Sequence, residues 1–246
     1  MLTGLKSLLS GDFEQFQQAL VLADDPRPSI PMRDCLAPEQ LDNLLNLYAG
    51  DNRDVDRRAL ASLWSRTYFL RLAVPSITAN LVLDWELPVE LDDIEVILTP
   101  DGQAEAFRIS SEGRALPSSG ETVFERFQTL VDDNFSPFIQ ALSRQIKVSP
   151  RVLWNNAGNY VEWLVGALEH HLGPDQVSAD GHQLINLQLR PDGSRNPLYQ
   201  PVRYVERSSG PSPLRQRRQC CLRYRLPELG LCENCPHIDC PPKAAR

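Results

Sequence analysis

No run of apolar residues in this 246-residue chain approaches the roughly 20 that a bilayer-spanning helix requires. The start, Met1 to Glu14, has one lysine, too short an apolar core and early acids, which is not the pattern of a secretory signal. Both absences lead to the expectation of a cytoplasmic protein without a membrane span. No Gly-x-Gly-x-x-Gly follows a predicted strand and no Walker loop is present, so neither a flavin nor a nicotinamide site is indicated. No nucleophile–base pair stands out for hydrolysis, and no repeat of 20–50 residues is visible. Lysine is scarce, with three (Lys6, Lys147, Lys243) among 25 basic residues. That skew fits a GC-rich bacterial genome and carries no chemistry by itself.

A long basic stripe is also missing. The formal charge is −7, but residues 200–246 hold nine Lys/Arg against four Asp/Glu, a local +5 that leaves −12 on the rest. An acidic whole without a basic stripe argues against a nucleic-acid partner. A basic tail beside an acidic body can steer anions or dock on the body.

What is present is an ordinary globular composition, 42% hydrophobic and 23% charged, long enough for one large domain or two small ones. Residues 12–24 have apolar side chains at helical spacing behind Asp12 and predict a helix. Ala37-Pro38-Glu39 opens a second, stopped near Gly50. Residues 57–74 are apolar on more than one face and predict a buried central helix, ended or kinked at Pro75 and resumed through Leu83. Residues 94–109 change period and predict a β-hairpin about Pro100-Asp101-Gly102. Helical spacing returns over 122–142, with a bend at Pro137, and over 150–172. Short strands are expected at 184–189 and 202–205. The expected class is α+β: a mainly helical body over residues 1–205 with a small β-hairpin or sheet, then a Pro-rich connector near 206–214 and a small cysteine-bearing tail within 206–246.

Five of the six cysteines fall in the last 27 residues. Cys220-Cys221, ten residues, Cys232, two residues and Cys235 form a ligand-like set. The two-residue gap lets Cys232 and Cys235 reach one ion from a tight turn. The adjacent pair is different, because neighbouring side chains of an extended chain point to opposite faces. A vicinal pair fits poorly in a zinc knuckle, which pairs two such gaps, and more easily in a cluster whose sulfurs spread over two irons. Structural zinc and disulfides both stay open on spacing alone. Cys240 reads as a spare surface thiol or an alternative ligand. Cys35 reads as a small buried apolar residue. His237 lacks the partner histidine a Rieske-type centre needs. His170-His171 closes its helix and favours the negative end of the dipole.

The tail motif Cys-Cys-x10-Cys-x2-Cys, with Arg-Tyr-Arg-Leu-Pro after the first pair, resembles the C-terminal signature of the FhuF family of ferric siderophore reductases. Leu63-Trp64 with its helix, and Leu153-Trp-Asn-Asn-Ala-Gly-Asn-Tyr-Val-Glu-Trp163, are similar to the family's body. The resemblance implies a cytoplasmic [2Fe–2S] protein with Cys220, Cys221, Cys232 and Cys235 as ligands. It also implies a ferric siderophore substrate, chiefly hydroxamate, reduced by one electron to release Fe(II). The electron donor is then external, a partner protein or a small reductant. Cys240 lies outside the pattern. For the siderophore, Trp154, Asn155, Asn156 and Tyr160 are candidate contacts, with Arg66 and Tyr68 on the central helix; the same residues also suit helix capping and core packing.

Overall fold

The computed structural model describes residues 2–52, 54–117, 122–206 and 213–238. Its helices are α1 (Leu2–Leu8), α2 (Met32–Cys35), α3 (Pro38–Ala49), α4 (Arg57–Leu83), α5 (Val123–Arg126), α6 (Gln128–Leu130), α7 (Ser136–Ile146), α8 (Pro150–Leu172) and α9 (Asp180–Asn186). Its strands are β1 (Leu20–Val21), β2 (Ile30–Pro31), β3 (Trp85–Glu86), β4 (Glu95–Leu98), β5 (Ala104–Arg108), β6 (Arg114–Ala115), β7 (Val202–Val205) and β8 (Leu214–Arg217). The class is α+β and mainly helical, as the sequence predicts.

The central helix α4 organises the rest. Asp56 caps it by accepting the Arg58 backbone N–H, and Asp84 ends it in the left-handed region. It runs unbroken through Pro75, although an interior proline removes one backbone bond and costs about 3 kcal/mol. Burial on every side outweighs that cost here, because Leu72, Ala73, Val74, Ile77 and Ala79 are all fully enclosed. Helix α8 lies along α4 as its main helical neighbour. The four-stranded sheet has the order β1-β5-β4-β2, with β1 parallel to β5 and the other pairs antiparallel. The expected hairpin is therefore present as β4–β5. Its turn is tied to α4 by Trp64, whose indole N–H donates to the Gly102 carbonyl at 2.8 Å.

Three expectations need correction. Residues 12–24 do not form a helix: Gly11–Phe16 is a 3-10 turn and Leu20–Val21 is an edge strand. Phe13 and Phe16, three apart, still reach the core, while both residues of β1 are buried against β5. Residues 184–189 form no strand. Leu184 and Ile185 belong to α9, where Gly181, Leu184 and Ile185 make a buried helical stripe. A Cβ at Gly181 would meet Leu81 at 2.8 Å and Val165 at 2.9 Å, so close approach to α4 and α8 decides this segment. Finally, 122–142 is not one bent helix. A capping box of Thr122 and Glu125 starts α5, and a π-helical turn over Val131–Phe135 precedes α7. Pro137 has no N–H for the Asp133 carbonyl, and the Leu91 N–H takes that carbonyl at 3.0 Å instead.

The π turn also aims Asn134 inward. The Tyr68 hydroxyl donates to Asn134 Oδ1 at 2.8 Å, and the Asn134 amide donates to the Val89 carbonyl at 2.5 Å. Tyr68 stacks on Phe138 with ring centres 3.8 Å apart. Tyr68 thus belongs to the core, not to a pocket. Replacing it with Phe leaves a fully buried amide oxygen without its donor. Tyr68→Phe should lose about 1–3 kcal/mol, read as a lower urea midpoint with unchanged slope.

Candidate metal centre

The tail reaches its place through β8, which pairs antiparallel with β7. Helix α8 carries Gly158 where the chain before β7 crosses it, and a Cβ there would lie 2.8 Å from Pro201. From the end of β8 the chain enters Cys220-Cys221, turns through Leu222 in the left-handed region, makes a 3-10 turn at Arg223–Arg225, and returns at Cys232. Arg223 fixes that return by donating to the Gly230 and Leu231 carbonyls at 3.1 and 2.9 Å. The Cys235 N–H closes the turn on the Cys232 carbonyl at 3.0 Å.

Cys221, Cys232 and Cys235 form a small buried cluster apart from the main core, while Cys220 is half-buried. No disulfide joins the cysteines among the described residues. Cys221 Sγ and Cys232 Sγ lie 3.7 Å apart. Metal–sulfur bonds of about 2.3 Å in a tetrahedral site place two sulfurs on one metal at about that separation. The Leu222 N–H donates to Cys220 Sγ at 3.3 Å. Cys221 is held below the ordinary thiol range, first by its contact with Cys232 and then by the charge of Arg217. Cys232 is pushed the other way by the same contact, and burial pushes Cys220 up to about 11. Among the described residues no three His, Cys, Asp or Glu side chains converge on a single ion; sulfurs shared between two irons need no such convergence.

The side chains that hold this tail come from α4 and α8. Asn155 donates to the Pro201 carbonyl at 2.6 Å and accepts the Gln219 N–H at 3.1 Å. Asn156 donates to Ser62 and Ser65, and Ser62 donates to the Cys221 carbonyl at 2.9 Å. Asn159 accepts from the Asn234 amide at 2.6 Å, and the Arg217 N–H donates to the Asn234 carbonyl at 2.8 Å. Arg225 pairs with Asp56 at 2.9 Å.

Arg217 is the unusual member. Its residue is fully buried, and one terminal nitrogen donates to Asn156 Oδ1. Its Nε and Nη1 have no partner, and no carboxylate pairs with it among the described residues. Burial lowers its pKa, while Cys221 opposes that shift. An uncompensated buried guanidinium costs several kcal/mol. A four-thiolate iron–sulfur cluster is an anion in both redox states, so these orphan donors fit such a group beside Cys221 and Cys232.

The residues singled out in the sequence do not all meet. Asn155 and Asn156 are buried in the docking of the tail, and Trp154 is half-buried against the main core. Arg66 and Tyr160 do meet: Arg66 Nε donates to the Tyr160 hydroxyl at 3.2 Å. Both line a cleft of about 670 Å³ that also includes Glu233 and Asn234, between the second pair of cysteines. A cleft of about 790 Å³, lined by His170, His182, Arg203 and Arg218, contains no residue of that cysteine turn. The smaller cleft is therefore the one beside the chemistry. Cys35 sits in the main core, its thiol pushed up to about 12 by burial. His171 contacts Ser10 and Phe13 at the end of α8, and His237 packs edge-on to Tyr224. Cys240 lies outside the described residues. Sequence reading missed Ser62 and Asn234, for which no local signal exists; Asn159 lies in the α8 segment singled out for the substrate but holds the tail instead, and Arg217 carries a local signal, its place three residues before the first cysteine.

Comparison with known proteins identifies the family. Residues 62–212 match the family described as ferric iron reductase FhuF-like transporter, and residues 217–237 match the FhuF 2Fe-2S C-terminal domain. A ferric siderophore reductase of Escherichia coli (strain K12) is 27% identical over 222 residues, covering 86% of this chain and 81% of that protein.

A buried cation beside a redox centre favours the added electron. Arg217→Gln should therefore lower the midpoint potential by about 60 mV, a tenfold change for one electron, with Arg217→Lys recovering part of it. A redox titration followed by electron paramagnetic resonance reads this; an unchanged potential in a cluster-bearing Gln variant would leave Arg217 only its docking role.

Proposed function

The chain belongs to the FhuF-like ferric iron reductase family, and from that membership we propose that it reduces ferric siderophores by one electron in the cytoplasm, releasing Fe(II). It is an oxidoreductase of ferric iron, and its cofactor is the [2Fe–2S] cluster of its C-terminal domain. Siderophore iron is what the Escherichia coli relative's name says it reduces. No helix among the described residues is long and apolar enough to cross a membrane.

In this reading Cys220, Cys221, Cys232 and Cys235 hold the cluster. The observation that carries it is the gathering of Cys221, Cys232 and Cys235, with the half-buried Cys220 next in the chain, near a buried guanidinium with two orphan nitrogens. When bound, a [2Fe–2S] cluster supplies electrons one at a time. The protein's own part is electrostatic and steric. Arg217 supplies positive charge, the Leu222 N–H stabilises charge on Cys220 sulfur, and burial of Cys221, Cys232 and Cys235 keeps water away. Residues 1–205 serve as the body and 206–246 as connector and cluster segment. Of that connector, residues 207–212 lie outside the described residues.

The substrate chemistry suits a single electron. Hydroxamate oxygens are hard donors that prefer Fe(III) to Fe(II). Gain of one electron loosens the complex with no bond of the chelator broken, and the chelate gains one negative charge. The chain has no visible nicotinamide or flavin motif, so electrons arrive from an external donor, a partner protein or a small reductant.

Two measurements test this. Stopped-flow mixing of the reduced protein with a ferric trishydroxamate should bleach the reduced spectrum faster than an arbitrary small oxidant of equal driving force does; equal rates would reduce the protein to an electron shuttle. Cys232→Ser should lose the native visible spectrum. If that spectrum persists, the Cys232→Ser/Cys240→Ser double variant shows whether Cys240 has taken its place, and persistence in the double variant removes Cys232 from the ligand set.

A further inference from the structure

We propose that the ferric chelate binds in the cleft between α4, α8 and the tail, with its aliphatic arms on Leu70, Trp163 and Leu214 and its metal-bound oxygens toward Arg66. This rests on the reductase reading above and adds where the substrate sits.

Four observations converge on this cleft. Its volume, about 670 Å³, lies within the range of small-molecule sites. One wall is the turn between Cys232 and Cys235, through Glu233 and Asn234, so the cleft borders the residues that join two of the buried sulfurs. Arg66 from α4 and Tyr160 from α8 also line it. Asn159 of α8, which also lines the cleft, accepts from the Asn234 amide at 2.6 Å, and this bond ties the cleft to the cysteine turn.

Charge decides the kind of ligand. Arg215, at the same cleft, is neutralised by Glu162. Arg66 has no carboxylate partner among the described residues; its one hydrogen bond is to the neutral Tyr160 hydroxyl. A half-buried cation with unused donors suits chelate oxygens, and it suits the reduced chelate more, because that form carries one more negative charge. Arg66 thereby favours the product side of the electron transfer. Glu233 is exposed at the rim and opposes strongly anionic chelates. The occupant that matches is a ferric complex of low net charge with oxygen donors and aliphatic arms. The larger cleft has the volume but no wall in common with the Cys232–Cys235 turn.

The experiment pairs a binding and a kinetic readout on the cluster-loaded protein. Binding uses the gallium(III) complex of a linear trishydroxamate, which has the ferric charge and size but takes no electron, and is followed by calorimetry. Kinetics use oxidation of the reduced protein by the ferric complex and, separately, by ferricyanide. Leu70→Glu and Tyr160→Ala, at residues that line the smaller cleft and not the larger one, should each weaken gallium-complex binding about tenfold or more and slow oxidation by subsaturating ferric complex in parallel, with ferricyanide oxidation unchanged. Arg203→Ala and His182→Ala, in the larger cleft, should leave all three readouts as in the wild type. Loss of binding in the Arg203 or His182 variant alone moves the site to the larger cleft and overturns the proposal. Wild-type binding in all four variants also overturns it. A wild-type protein that reduces no ferric chelate selectively would instead defeat the reductase reading itself.

Discussion

Arg217 is the constraint on which the rest depends. A guanidinium buried with only one donor satisfied is tolerable only beside compensating negative charge. It sits three residues before Cys220, next to which Cys221 joins Cys232 and Cys235 in a buried cluster, and is anchored to Asn156 on α8. Asn156 is in turn bonded to Ser62 on α4, and Ser62 to the Cys221 carbonyl. One polar chain thus joins the two longest helices to the cysteine turn. The network is consistent with a rigid body that supplies the position and charge of a redox centre it does not itself ligate.

The arrangement couples two jobs to the same helices. Along α4, Ser62 reaches the tail and Arg66, one turn further, reaches the cleft. Along α8, Asn155, Asn156 and Asn159 hold the tail while Tyr160 and Trp163 line the cleft. In the proposed reading, a cluster at the cysteines and a chelate in the cleft would both be placed by this helix pair, as short-range electron transfer requires.

The parts of this that were legible in sequence are the local ones. Cysteine spacing, the hairpin about Asp101-Gly102, the long α4 and α8 and the strand at 202–205 all follow from signals within a few residues. The parts that were not legible depend on distant partners. Ser62 and Cys221 are 159 positions apart, Asn159 and Asn234 are 75, and Asn156 and Arg217 are 61. Asn155 and Asn156 invite a substrate reading because polar amides on a long helix look available, yet the structure spends them on the tail. Tyr68 likewise meets Asn134 only because the π turn before Pro137 points that amide inward. The strand expected at 184–189 gives way to α9, because the tight approach of Gly181 to α4 and α8 decides that segment.

The most direct measurement of the central claim is iron and acid-labile sulfide analysis of anaerobically purified protein, with electron paramagnetic resonance before and after dithionite. The account predicts about two irons and two sulfides per chain, no signal when oxidised, and a spin-half signal when reduced. Active protein lacking labile sulfide, or colourless protein holding zinc, would contradict it.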